Sequence, residues 1–167
     1  MPYEPPRSLY KSGVRLCIAS FAHPRLGFIG KSASYHWSRI ARREAERAEV
    51  DDVLLCAPLT DTDYSLQRII ESSSAAVLWL RDGHWFYDPH AGAVHSCTLE
   101  SLQISNIGQL MRTDLQKCEG LLLVSALKLV VPVREVQGIL LPDACVHANE
   151  FRHRLLNLHQ AQYARTV

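Results

Sequence analysis

The chain has 167 residues, 47% of them apolar, with 18 basic side chains against 17 acidic. That length and composition predict one domain with a substantial core, and the near-balanced charge argues against bulk binding to nucleic acid or a membrane surface, both of which need a basic excess. No apolar run approaches the ~20 residues of a membrane-spanning helix.

The opening Met1-Pro2-Tyr3-Glu4-Pro5-Pro6 lacks the basic-then-apolar order of a secretory signal. Its prolines predict an extended arm over residues 1–13, ahead of a single domain over 14–167. The five cysteines are Cys17, Cys56, Cys97, Cys118 and Cys145, an odd and scattered set with no Cys-x-x-Cys. That pattern predicts reduced thiols in a cytoplasmic or nuclear setting rather than a disulfide framework.

The stretch from Val14 to Phe21 reads as a first strand, closed by His23-Pro24, and a loop with Gly27 and Gly30 follows. From Ser34 to Val50, Trp37, Ile40, Ala41, Ala45 and Ala48 recur at the helical period, with arginines and glutamates on the other face. Val53 to Ala57 is a short strand stopped by Pro58, and Thr60 or Asp61 is placed to cap a short helix carrying Tyr64, Leu66, Ile69 and Ile70. Ser72-Ser73-Ser74 reads as a linker into Ala75–Leu80, Asp82-Gly83 and Trp85–Tyr87. Asp-Gly between two apolar runs is a strong hairpin signal, since both residues tolerate positive φ.

Beyond His90, Ala93 to Cys97 reads as a returning strand, and Leu99 to Met111 has mixed spacing that fits a helix or an irregular segment. Leu121 to Val133 and Val136 to Leu141 read as late core strands. Ala148 to Tyr163 closes the chain as an amphipathic helix with Phe151, Leu155 and Leu158 in one stripe. The resulting fold class is α+β, a mixed or antiparallel sheet with two or three helices.

Asp88 and His90 end the hairpin two residues apart, where a strand puts both side chains on one face. A carboxylate beside an imidazole makes an acid/base pair, and a thiol would complete a cysteine-nucleophile site. Cys17 and Cys56 are the candidates for that thiol. Spacings among His84, His90, His95 and Cys97 fit no standard zinc pattern. Gly30-Lys31-Ser32 lacks the earlier glycine of a phosphate loop, and no Gly-x-Ser-x-Gly elbow occurs. No cofactor is therefore expected, and the expected partner is another protein, held on the Ser34–Val50 helix or on the terminal helix, with a second copy of the chain as one option.

Phe86-Tyr87-Asp88-Pro89-His90 with Ala93-Val94-His95-Ser96-Cys97 resembles the Asp-x-His segment of the herpesviral large-tegument cysteine proteases. The resemblance implies a papain-like viral deubiquitinase with Cys17 as nucleophile, His90 as base and Asp88 as orienting acid. The family's Gly-Asn-Gln-Cys motif is absent, with Ala33 standing nearest to its cysteine. Gly83 to Pro89, followed by Leu99–Leu102 and Ile107–Arg112, is also similar to the SUKH superfamily, including its herpesviral regulatory branch. That second resemblance implies a non-catalytic interaction module that antagonises a host protein.

Overall fold

The structure, a computed structural model, describes residues 7–22, 36–58, 67–89 and 96–163. Its sheet contains β1 (Val14–Ala22), β2 (Asp52–Pro58), β3 (Gln67–Ser72), β4 (Ala76–Arg81), β5 (His84–Tyr87), β6 (Asn106–Ile107), β7 (Leu110–Met111), β8 (Gly120–Ser125), β9 (Leu129–Val136) and β10 (Ile139–Leu140). The helices are α1 (Arg7–Ser12), α2 (His36–Arg47), α3 (Cys97–Ser101) and α4 (Cys145–Tyr163), with a 3-10 turn over Arg112–Lys117.

The strand order is β6-β5-β4-β8-β9-β1-β2-β3-β7, and β3 pairs back onto β4. That last pairing closes β4-β8-β9-β1-β2-β3 into a six-stranded barrel, which corrects the papain-like or SUKH-like α+β fold with a mixed or antiparallel sheet expected from sequence. The closure joins segments whose local patterns carry no record of each other, so periodicity could not reveal it. The seam is thin: Glu71 opposite Ala76 is the one registered pair of β3 with β4.

Alternation along the strands sorts the side chains. Leu16, Ile18, Leu54, Cys56, Val77, Trp79, Leu121, Leu123, Val131 and Val133 form the barrel interior. The residues between them point outward and need cover. α2 supplies it over Cys17, Ala19, Val53 and Leu55 through Ala41 and Ala45. α4 supplies it over Leu78, Leu122, Val124 and Val130 through Ala148 and Leu155, and each fully buried leucine there is worth roughly 2 kcal/mol. Phe151 meets Trp85 edge-on at 5.8 Å, so most of the α4 stripe is covered by the chain's own core, while Leu158 stays exposed.

The hairpin forms where the Asp-Gly signal puts it. Asp82 and Gly83 both have positive φ (51° and 71°), and Glu119 accepts both of their backbone N–H groups at 3.1 Å. Three expectations need correction. Arg7–Ser12, inside the expected extended arm, is helical. Ile69 and Ile70 lie on a strand, where β-branched residues pack well, and residues 59–66 of the expected helix lie outside the described residues. Ser96 is a helix cap whose Oγ accepts from Leu99 N, so Cys97 begins α3 instead of ending a strand.

Strand directions give the barrel two distinct ends. β1 runs parallel to β2 and β9, while β2 runs antiparallel to β3. One end therefore collects the starts of β2 and β4, the end of β3 and the β8–β9 turn. The other collects the ends of β1 and β9 with the start of β3.

Candidate functional site

At the first of these ends, the turn between β3 and β4 is organised by one carboxylate. Asp52, buried at the start of β2, accepts from Ser72 Oγ at 2.9 Å, Ser74 Oγ at 2.6 Å, Ser73 Oγ and the Val53 N–H at 2.7 Å. Four donors on two oxygens satisfy a buried charge. The turn is thereby fixed, and Lys128 reaches it from the β8–β9 turn, with Nζ 3.4 Å from Ser74 Oγ. Tyr10 of α1 donates to the Lys128 carbonyl at 3.2 Å and steadies that second turn. Glu71, a buried carboxylate, immediately precedes the serines. A buried acid, a fixed turn and an amine thus meet at one barrel end, and the Lys128 ammonium is the donor placed there for a polar ligand.

No local pattern marks these residues. Ser72-Ser73-Ser74 looks like a linker, because the contact with Asp52 that gives it meaning spans about 20 residues.

The residues that sequence reading did single out are placed differently. Asp88 is buried and takes a two-pronged ion pair from the Arg68 guanidinium of β3, through Nε and Nη2. Its carboxylate ties β3 to the segment after β5, next to the thin seam, which is a structural duty. His90 lies outside the described residues. Cys17 is mid-strand in β1 beneath α2, and burial first, then the nearby Glu44, pushes its thiol above the ordinary value. A nucleophile needs the opposite shift. Burial pushes Cys56 up to about 12 and Cys118 up to about 11. Cys145 rises to about 11, through burial and then its hydrogen bond with Asp143.

Comparison with known proteins identifies the barrel. The profile of the family described as amino-transferase class IV matches residues 1–136. A fold IV transaminase from Curtobacterium pusillum superposes with a TM-score of 0.79 at 19% identity, over 95% of this chain and 57% of that one. The branched-chain amino acid aminotransferase of T.th., solved with N-(5'-phosphopyridoxyl)-L-glutamate, gives 0.73 at 20% identity over 88% and 52%. A hypothetical aminotransferase from Mycobacterium tuberculosis gives 0.72 at 20% over 89% and 56%. The chain thus spans a little over half the length of these structures. No curated protein sequence matches it.

These findings overturn both viral resemblances and, with them, the cysteine-protease, deubiquitinase and host-antagonist readings. The aromatic-Asp-Pro step behind them is the place where Asp88 turns in to meet Arg68. By its match over residues 1–136 and its barrel, the chain belongs to the class IV aminotransferase family.

Proposed function

We propose that the serine-turn end of the barrel holds pyridoxal phosphate and that the protein exchanges an amino group between an amino acid and a 2-oxo acid. The family match over residues 1–136 carries this reading. When bound, the cofactor supplies an aldehyde that amines attack and a ring that accepts electrons from the substrate Cα.

The donor set fits that group. A lysine amine is required to hold the cofactor, and the chain has four: Lys11, Lys31, Lys117 and Lys128. Lys117 is exposed beside Asp114 at 3.5 Å, and Lys11 is exposed on the six-residue α1. Lys128 is already engaged with Ser74 at the rim. That leaves Lys31, in the connection from β1 to α2 and outside the described residues, as the amine that holds the cofactor and moves the proton at the substrate Cα. Glu71 is the buried carboxylate to hold a proton on the pyridine nitrogen, where a dry acid is most effective. Lys128 presents its ammonium, steadied by Ser74, to the substrate's carboxylate. Among the described residues no helix is long and apolar enough to cross a membrane, and all five cysteines are free. The free thiols support a cytoplasmic location.

The test is to incubate the protein with pyridoxal phosphate, fix it with borohydride and map the modified peptide. One pyridoxyl group on Lys31, absent in Lys31→Ala, is the expected result. Labelling spread over Lys11, Lys117 and Lys128 at equal levels, or no stoichiometric uptake, would overturn the reading.

A further inference from the structure

The β8–β9 turn, which carries Lys128 to the serine end, is held by two helices far apart in the chain. Tyr10 of α1 donates its hydroxyl to the Lys128 carbonyl at 3.2 Å. Arg152 of α4, half-buried, donates from Nη1 to the Val130 carbonyl, also at 3.2 Å. Its guanidinium lies 4.1 Å from the centre of the Tyr10 ring and donates from Nη2 to Asn149 on its own helix. From within the turn, Ser125 Oγ accepts the Lys128 N–H at 3.2 Å. Between the two captured carbonyls Leu129 has φ at 54°, a left-handed conformation that an L side chain keeps where its surroundings impose it.

Each of these contacts acts on backbone, so what it fixes is the direction in which Lys128 leaves the turn. A lysine stem rotates about every bond, and the Lys128 ammonium reaches Ser74 Oγ at 3.4 Å, too long a hydrogen bond to hold the stem by itself. Direction must come from the backbone. Arg152 serves it twice, by its own bond to Val130 and through Tyr10. A cation over the ring fixes the ring, and it strengthens the phenol as a donor because positive charge draws electrons from the hydroxyl. The β9–β10 turn at the opposite barrel end shows the contrast. Gln137 is left-handed there too, at φ 49°, and the half-buried Arg112 of the 3-10 turn donates to its Oε1 and to Gln67 Oε1, both at 3.4 Å. Those contacts take side-chain oxygens and hold no backbone carbonyl.

We propose that Tyr10 and Arg152 are positioning residues for substrate binding: as a stacked pair they set the backbone of the β8–β9 turn so that the Lys128 ammonium stands beside Ser74, presented to the substrate's carboxylate. Neither side chain needs to touch the substrate, since both act through Lys128. This role rests on the amino-group transfer proposed above for the serine end. The setting of the Lys128 stem does not, and it is measured without cofactor.

Lysine labelled with ¹³C at Cε reports the stem by NMR in the full chain, with the Lys128 signal assigned through Lys128→Arg. A held stem keeps its two Hε protons inequivalent, and a free one averages them. The wild type is expected to show two Hε signals for Lys128 and one for the exposed Lys117. Tyr10→Phe keeps the ring and its cation and removes only the hydroxyl, so it should merge the Lys128 pair. Arg152→Met should do the same, and Arg152→Lys, which keeps a charge over the ring, should restore part of the splitting. In transamination Tyr10→Phe should raise KM for the 2-oxo acid about fivefold, the effect of one hydrogen bond, with kcat within about twofold of the wild type. It should add nothing to Lys128→Ala, which has no ammonium left to place. Unchanged splitting in Tyr10→Phe, or a KM loss that adds to that of Lys128→Ala, would overturn the proposal. A wild type with neither pyridoxal phosphate uptake nor transamination would overturn the proposed function and the substrate role with it, while the Hε signals still decide whether the pair sets Lys128.

Discussion

The two ends of the barrel solve opposite problems with similar residues. At the serine end a buried carboxylate meets four donors, and every contact is short. At the Arg112 end a half-buried guanidinium meets two amide oxygens at 3.4 Å and no carboxylate. A saturated network fixes the backbone it touches, because leaving any member unpaired costs the full desolvation of that group. An undersaturated one contributes little to folding. On this comparison the serine turn is a rigid platform beside the proposed cofactor, and the Arg112 end is the more loosely tied of the two.

The largest effect is expected between the two ends, at the seam. Arg68→Met leaves the Asp88 carboxylate buried and unpaired, and breaking a buried pair from one side costs about 3–5 kcal/mol. Changing Asp88→Leu as well removes the stranded charge, so the double variant should recover much of the loss. Urea unfolding of the wild type, both single variants and the double variant checks this. Additive losses in the double variant would mean the pair is not what holds the seam.

The next contrast sets the ends against each other. Asp52→Ala strips three hydroxyls and a backbone N–H of their acceptor and should cost about 2–3 kcal/mol. Arg112→Gln removes two long hydrogen bonds to neutral oxygens and should cost no more than about 1 kcal/mol. The comparison of the ends fails if urea midpoints show Arg112→Gln to be as damaging as Asp52→Ala.

What could be read in advance follows the same division between local and distant causes. The β4–β5 hairpin is legible because Asp82-Gly83 specifies its own turn, and α2 because Ala41 and Ala45 mark one face within two turns. The terminal helix is legible for the same reason, although it begins at Cys145, before the expected Ala148. The barrel is not legible, because it depends on β3 meeting β4 across a thin seam and on β1 lying parallel between β2 and β9.

The functional residues are hidden by the same distance. Asp88 looks like an acid for His90, two residues on, yet its partner Arg68 lies 20 residues back. Gln67 and Gln137 lie 45 and 25 residues from Arg112, and no local pattern joins them. Even the family signal is spread over residues 1–136, so no short motif such as Asp-Pro-His carries it.

The smallest predicted effect uses a thiol as an internal gauge of the Arg112 end. Burial raises the Cys56 thiol from its ordinary 9.0 to about 12, and the positive charge of Arg112 works against that rise. A raised folded-state value means the fold favours the neutral thiol. The resulting stability is fully present below 9.0 and is lost as pH climbs from there toward about 12. At about pH 9.5 the loss should be about 0.8 kcal/mol. Urea midpoints measured across that window should therefore fall more steeply for the wild type than for Cys56→Ala, which has no thiol to ionise. Arg112→Gln removes the opposing charge, so the Cys56 thiol should titrate higher still. Identical slopes in the wild type and Cys56→Ala would show that Cys56 does not feel its burial, and its use as a gauge of the Arg112 charge would end there.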